Sequence, residues 1–545
     1  MRLRLAAGVP AALLAGIAHS ASFAWSGAWW LQVAAMAVLV ALLLHPRAGN
    51  AASTGVVRTA ASRVETSTVR RAAALGFAFG LGWFVAGVSW LYVSMHRYGG
   101  MPAPLAALAV LLFGAYLALF PAAVTAATRR AADAATRRGG ALTPLALAGV
   151  GLLFAGTWGL AEIARGYLFT GFPWLAIGYA HVDGPLATLS PLVGVYGVCT
   201  LAALSAFGVG AAAAWPPRAA VAATAIVVAL APLAAAWTAT GIEWSRPTGR
   251  TISIRLLQGN VPQELKFDPA RSLAAMQAYV AEAIRADADL TVLPETAWTV
   301  PWPATPVPLR DALLAHLRAA GGVVAIGMPL VELHAPRAAT PARLTNSVAV
   351  IDRNGEIVSR YDKRHLVPFG EFVPRGFGWF VAMMNIPLGE FARGSREQPP
   401  LLVDGQRVAF DICYEDLFGE ELAAQVRGGA TILANVSNIA WFGDSHALPQ
   451  HLQISRMRAI ELARPVLRAT NTGVTAAIDA SGRVIGALPT YTSGALAVSL
   501  RGTEGLTPYA RWGNALPVAS SLVLALAGAL LALAARRSSR SNPLE

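Results

Sequence analysis

The sequence predicts a multi-pass α-helical membrane domain of eight helices, with an α/β domain inserted between the seventh helix and the eighth. Three observations lead there. Charged residues make up 13% and hydrophobic ones 55% of the 545 residues, against roughly 25% and 45–50% in ordinary soluble domains. The apolar residues gather before residue 240 and again near residue 520, in windows of about 20, the length that crosses a bilayer. Between those regions the pattern changes to short β-rich runs alternating with helical ones, the signature of a layered α/β architecture. A chain of this length holds more than one unit, and its composition excludes both disorder and a simple cytosolic enzyme.

The first seven windows fall at roughly 5–25, 28–45, 72–94, 104–127, 143–164, 190–214 and 219–240, and the eighth at roughly 515–535. Residues 1–240 are therefore expected to form the membrane domain, 241–514 the α/β domain, and 515–545 the last helix with a basic tail. The formal charge of +13 divides into +10, +1 and +2 over these stretches. The excess punctuates apolar runs instead of clustering with aromatics, which argues against a nucleic-acid partner. Threading eight helices puts Arg2, Arg4, Arg47, Arg58, Arg63, Arg70, Arg71, Arg129, Arg130, Arg137, Arg138, Arg218, Arg536, Arg537 and Arg540 on one side, and only Arg97 and Arg165 in the short loops opposite. The positive-inside rule then places both termini in the cytoplasm and residues 241–514 in a periplasm or its equivalent. Arg2 and Arg4 ahead of an apolar stretch also fit a signal peptide, but a second apolar segment follows at once and an uncleaved anchor is expected. Glu162 and Arg165, three residues apart at membrane depth, are either functional or an interfacial ion pair.

From Thr251 onward, runs at 252–256, 290–293, 322–327, 346–352, 407–412, 430–435 and 474–479 read as strands, and 269–286, 308–320 and 446–463 as helices. Asn354-Gly355 and Ser481-Gly482 are hairpin signals. Three strand ends carry unusual residues. Leu290–Leu293 leads through Pro294 to Glu295; Arg360-Tyr361-Asp362 leads to Lys363; Val408–Ile412 leads to Cys413 and then Tyr414-Glu415-Asp416, read as a helix start. Lys266 and Lys363 are the only lysines beside 41 arginines, which marks them for work needing a compact ammonium. A cysteine at a helix N-terminus near such a charge is expected to have a lowered pKa and to be nucleophilic. Glu295 is then a candidate general base and Lys363 a candidate partner for an oxyanion. Each has a bland alternative: a capping carboxylate, a surface base, a small buried hydrophobe.

The elements Leu293-Pro294-Glu295, Tyr361-Asp362-Lys363 and Cys413-Tyr414-Glu415 resemble the Glu-Lys-Cys triad of the nitrilase superfamily. Flanked by eight apolar helices, they resemble the apolipoprotein N-acyltransferase family within it. The resemblance extends over Thr170–Trp174, Gly194–Gly197, Gln258–Asn260, Lys363–Pro374 and Trp441–Asp444 through to Asn471. It implies a nitrilase-like αββα sandwich; the residues themselves show neither a dinucleotide fingerprint nor a phosphate loop and no evident metal site, so no cofactor and no metal are expected. It also implies a two-stage reaction in a bacterial inner membrane. Cys413 takes an acyl chain from a phospholipid as a thioester and passes it to the N-terminal amine of a diacylglyceryl-cysteine on an apolipoprotein. Glu371, Tyr414 and Glu415 would support the triad, and Phe267, Trp379, Phe380 and Trp441 would contact substrate. Two positions depart from the family pattern: Ile439 stands where an acid is expected, and Phe267 where a Trp commonly follows the lysine.

Two rivals differ in class. A tethered amidase or nitrilase would pass the acyl group to water, at the expense of eight helices where one anchor suffices. A transporter would need buried ionisable groups along a path, yet residues 1–240 hold only Glu65, Asp133, Glu162 and Asp183 as acids. Cys199 and Cys413 lie in regions of opposite character, so no disulfide is expected. His446 and His451, five apart, do not share a helix face as metal ligands would, and packing or solvated roles are expected for them. The charge-free stretch 376–389 is too short to span a bilayer and too apolar for an ordinary exposed loop; it either packs into the domain core or, the favoured reading, forms an arm resting on the membrane and covering the site entrance.

Overall fold

The computed structural model describes residues 2–45, 59–136, 142–214, 218–266, 268–333, 343–381 and 390–541, which divide into two compact units. Phe267 and residues 382–389, most of the expected arm, lie outside the described residues.

The first unit comprises residues 1–89, 107–242 and 514–545. Its helices are α1 (Arg2–Ala21), α2 (Trp29–Leu44), α3 (Thr59–Gly87), most of α5 (Ala103–Ala135), α6 (Pro144–Tyr167), α7 (Ser190–Ala214), α8 (Ala219–Thr238) and α15 (Ala515–Ser541). Six stretches among the described residues are long and apolar enough to cross a membrane: Ser67–Gly87, Ala103–Ala135, Pro144–Thr170, Pro185–Ala214, Ala219–Thr238 and Ala515–Arg536. The first two expected spans are the shorter apolar helices Gly8–Ala21 and Trp29–Leu44. Close helix packing uses small residues, as in other membrane bundles. A Cβ on Gly156 would sit 2.4 Å from the Ala525 amide nitrogen, and one on Gly528 2.3 Å from that of Leu153. Glu162 and Arg165 form a buried ion pair, and Arg165 also donates to the carbonyls of Phe172 and Trp174. This pair therefore anchors the aromatic loop, which is the structural one of its two readings.

The second unit is residues 243–513 together with Trp90–Ala106. The third apolar window, expected to run to about 94, ends as a helix at Gly87. The short α4 (Trp90–Val93) and a π-turn at Ser94–Tyr98 then join the α/β unit. Trp90 packs on Phe442 with ring centroids 4.2 Å apart, and Tyr98 meets Trp441 edge-on at 6.1 Å.

Strands β1 (Arg246–Pro247) and β14 (Thr503–Glu504) pair separately. One six-stranded sheet has the order β13 (Gly494–Leu500), β2 (Ile252–Gln258), β3 (Leu290–Val292), β4 (Val323–Val331), β5 (Leu344–Ile351), β6 (Ile357–Asp362). The other runs β12 (Val484–Ala487), β11 (Ala476–Ile478), β10 (Val466–Thr470), β9 (Ile432–Ser437), β8 (Gln406–Ile412), β7 (Leu401–Val403). Both are mixed sheets, with parallel central strands that are buried on both faces, as their continuous apolar runs require. Ile254, Leu256, Val292 and Val348 of the first sheet share one core with Phe410, Ile412, Ala434, Val436 and Leu467 of the second. The opposite faces are covered in turn. Leu257, Val324 and Ile326 pack under α9 (Pro269–Ala283) and α10 (Val307–Ala320). Ala409, Leu433 and Val466 pack under α12 (Gly419–Arg427), the end of α13 (Ala447–Leu462) and α14 (Pro508–Trp512). The result is the αββα sandwich. Gly355 (φ +85°) and Gly482 (φ +81°) turn the β5–β6 and β11–β12 hairpins, the left-handed geometry for which glycine is suited.

Candidate active site

Strand directions bring two of the three marked residues, Glu295 and Lys363, together. In the first sheet β3 is parallel to β4, while β5 is antiparallel to β4 and β6 antiparallel to β5. Strands β3 and β6 therefore run the same way, and both end at the edge where β5 begins. Glu295 follows β3, Lys363 follows β6, and Asn346 is the third residue of β5. Glu295 Oε1 accepts from Asn346 Nδ2 at 2.7 Å and from Lys363 Nζ at 3.3 Å, and its Oε2 accepts from the backbone amide of Asn438 at 2.7 Å. Lys363 Nζ also donates to Glu371 Oε1 at 2.9 Å, and Asn346 bridges to that same oxygen at 2.7 Å. Glu371 Oε2 accepts from the Val367 amide at 2.8 Å. The ammonium is thus held between two carboxylates, 1% exposed.

Cys413 directly follows β8 of the second sheet, half-buried, with φ +55°. Cys413 opens the five-residue 3-10 turn Cys413–Leu417, and the α-helix begins only at Gly419, so the expected helix start is one short 3-10 turn and no α-helix begins at the thiol. Glu415 in that turn joins the two sheets. Its Oε1 accepts from the amides of Arg364 and His365 at 2.7 and 3.0 Å, and its Oε2 from the Ile412 amide at 2.7 Å and the Tyr361 hydroxyl at 2.9 Å. The buried Tyr414 ring lies against Phe418 and His365.

Burial opposes the charge of Lys363, but Glu295 and Glu371 outweigh it and raise its pKa above the ordinary lysine value. Burial likewise pushes the Glu295 carboxyl up; Lys363, the Asn346 and Asn438 donors and Lys266 reverse this, leaving it below the usual carboxylate value. The Cys413 thiol is pushed up to about 12 by burial and by Glu295, against the pull of Lys363. This corrects the expectation of a lowered pKa: the carboxylate beside the thiol offsets the ammonium, and no helix terminus assists. At rest the proton belongs to sulfur.

Sequence reasoning missed Asn346, within β5, and Asn438, directly after β9, neither of which carries a spacing signal. It also gave Lys266 no place at the site. That residue is buried, its Nζ donates to the Glu295 carbonyl at 3.1 Å, and burial, against Glu295 and Cys413, draws its pKa down to about 7. The rarity of lysine was the signal that marked it. Ile439, the position lacking the expected acid, is fully buried directly after Asn438. Trp441 lies on the turn Ile439–Phe442, next to the Asn438 that binds Glu295. Trp379 is 64% exposed, while Phe267 and the Phe380 side chain are outside what is described.

Two family descriptions match the chain: the apolipoprotein N-acyltransferase N-terminal domain over residues 15–208, and carbon-nitrogen hydrolase over residues 253–508. An apolipoprotein N-acyltransferase of Ralstonia nicotianae is 47% identical over 98% of this chain and 94% of its own length. The chain belongs to the apolipoprotein N-acyltransferase family. A second member, from Bordetella bronchiseptica, is 44% identical over 96% of both chains. Among solved structures, an amidase of the nitrilase superfamily from Nesterenkonia aligns at 20% identity and a TM-score of 0.34, covering 49% of this chain and 95% of the amidase. The apolipoprotein N-acyltransferase family carries out lipoprotein maturation within the nitrilase superfamily, and this member is a membrane protein with several candidate spans.

Proposed function

We propose that Cys413, Glu295 and Lys363 transfer an acyl chain from a membrane phospholipid to the N-terminal amine of a diacylglyceryl-cysteine on an apolipoprotein. The observation that carries this reading is the convergence of one carboxylate and one caged ammonium on a single cysteine, in a chain of this family. In the first stage the Cys413 sulfur attacks the ester carbonyl while Glu295 takes the thiol proton. Because the thiol is held at about 12, no free thiolate accumulates and proton transfer accompanies C–S bond formation. Lys363, whose raised pKa keeps it an ammonium, faces the developing oxyanion as a fixed charge. The C–O bond then breaks, Glu295 returns the proton to the lysophospholipid oxygen, and a thioester remains. In the second stage the acceptor amine attacks that thioester, Glu295 takes the amine proton and gives it to sulfur as the C–S bond breaks, and the N-acylated lipoprotein leaves. Glu371 is the second carboxylate that holds Lys363, and Glu415 holds the two sheets in register at the site.

The arginine distribution supports a periplasmic catalytic unit with both termini in the cytoplasm. The exposed Trp379, the adjacent Phe380, Phe267 and Trp441 are the aromatic residues proposed to meet lipid, since Trp and Phe favour the membrane interface. The experiment is mass spectrometry of the intact protein after incubation with phospholipid vesicles. A mass increase of one acyl group, mapped to Cys413 and cleared by an amine acceptor, is expected. An unmodified Cys413 after turnover would refute the thioester mechanism, and release of free fatty acid in the presence of acceptor would favour hydrolysis.

A further inference from the structure

Behind the proposed nucleophile lies a buried polar network that has no part in the two-stage reaction. Arg468 of β10 donates through Nη1 to Asp416 Oδ2 at 3.0 Å and to Ser455 Oγ, and Ser455 in turn donates to Asp416. Its Nη2 lies 3.1 Å from Nδ1 of His451, on α13. A guanidinium can only donate, so Nδ1 of His451 is the acceptor and the ring proton resides on Nε2. That nitrogen is 3.2 Å from the backbone carbonyl oxygen of Cys413. A carbonyl can only accept, so the contact is an N–H···O=C bond whose direction is fixed by Arg468. Asn435 Nδ2 donates to the same carbonyl at 3.2 Å. His451, Arg468, Asp416, Ser455 and Asn435 are each at most 1% exposed.

Cys413 needs such support. Its φ of +55° lies in the left-handed region, which residues with a Cβ occupy only when their surroundings over-determine it. The peptide plane that carries the Cys413 carbonyl carries the Tyr414 N–H on its opposite edge, so drawing the oxygen inward turns that N–H away from the network. We propose that His451 is a positioning residue for the nucleophile. With its tautomer set by Arg468, it donates to the Cys413 carbonyl and holds the left-handed backbone from which the thiol reaches the acyl carbonyl. This replaces the packing or solvated role that its spacing from His446 implied. Burial and the neighbouring Arg468 lower its pKa well below that of ordinary histidine, consistent with a neutral ring.

The inference rests on the reading of Cys413 as the acyl-accepting thiol, and two amide substitutions separate the two. The amide of His451→Asn reaches the position of Nδ1 and can still accept from Arg468, but it stops short of the Cys413 carbonyl. His451→Gln places an N–H where Nε2 stood. Three quantities are read in the full-length protein in detergent: thermal stability, Cys413 alkylation by iodoacetamide, and single-turnover acylation from phosphatidylethanolamine. If the unsubstituted protein forms no acyl adduct, the functional reading fails, and alkylation still tests the positioning role. With equal thermal stability in the two variants, His451→Asn is expected to lose on the order of tenfold to 100-fold in acylation, the scale of a misplaced reacting group. His451→Gln is expected to recover most of that loss, and alkylation to follow the same order. Equal rates in the two variants, whether both high or both low, would overturn the proposal.

Discussion

The resting thiol decides how the proposed chemistry must proceed. A cysteine activated by a lowered pKa would alkylate at a constant rate above neutral pH, since it would already be thiolate. With Cys413 held at about 12, iodoacetamide labelling is expected to be slow at neutral pH and to rise roughly tenfold per pH unit up to pH 11, following the thiolate fraction. A plateau beginning below pH 9 would show that the ammonium outweighs the carboxylate. Lys363 and Lys266 separate charge from shape. Lys363 fills a space bounded by Glu295, Glu371 and Asn346, and a planar guanidinium cannot take the place of its compact head. Lys363→Arg is expected to lower single-turnover acylation by about 100-fold, the scale of one lost oxyanion partner. Sequence alone makes Lys266→Arg a mild change. The buried contact from Lys266 to the Glu295 carbonyl predicts instead a loss of at least tenfold, approaching that of Lys363→Arg, because a larger cation there displaces Glu295. A Lys266→Arg enzyme with full acylation rate would restore the milder reading.

At the scale of the element, β4 shows how closely the scaffold sets the site. A Cβ on Gly327 would lie 2.4 Å from the Pro294 carbonyl oxygen and 2.6 Å from the Glu295 Cα, and the amide of Trp298 already donates to the Gly327 carbonyl at 3.1 Å. Gly327 has no left-handed φ; it is small because the Glu295 loop crosses directly over the strand. Gly327→Ala is expected to push Glu295 away from Lys363 and reduce acylation on the order of 100-fold, with folding retained as judged by circular dichroism. An unchanged rate would mean that the loop shifts as a whole without disturbing the carboxylate. Elements with long periodic patterns were legible in the sequence: α9, α10 and α13, both glycine hairpins, and most central strands appear within a few residues of where the pattern puts them. Short elements were not. Strand β6, which delivers Lys363, has only six residues with an exposed start, and α12 has nine, too few for a helical period to stand out. The residues after Cys413 look like a helix start because Glu415 and Asp416 suit a first turn, yet Glu415 points back to the β8 and β6 ends and the turn stays 3-10.

For the whole molecule, the alternation of arginine-rich and arginine-poor loops is the strongest statement the chain makes about orientation. It predicts that a cysteine replacing exposed Arg353, in a chain with Cys199→Ser and Cys413→Ala, reacts with a membrane-impermeant maleimide in spheroplasts. Labelling only after lysis would reverse the assigned sidedness.

The sequence by itself determined the apolar windows, the α/β character of the middle, the identities of Glu295, Lys363 and Cys413, and the family that those residues resemble. All of these depend on local composition, periodicity or short motifs, which a linear chain displays directly. Only the tertiary structure decided that Trp90–Ala106 belongs with the α/β unit, that Asn346 and Asn438 tether Glu295, that Lys266 is buried against the Glu295 carbonyl, and that His451 contacts the Cys413 carbonyl. It also reversed the expected pKa of the thiol. Each of these depends on which groups, tens to hundreds of residues apart in the chain, share a few ångströms of water-poor space, where burial and neighbouring charges outweigh what a side chain does alone.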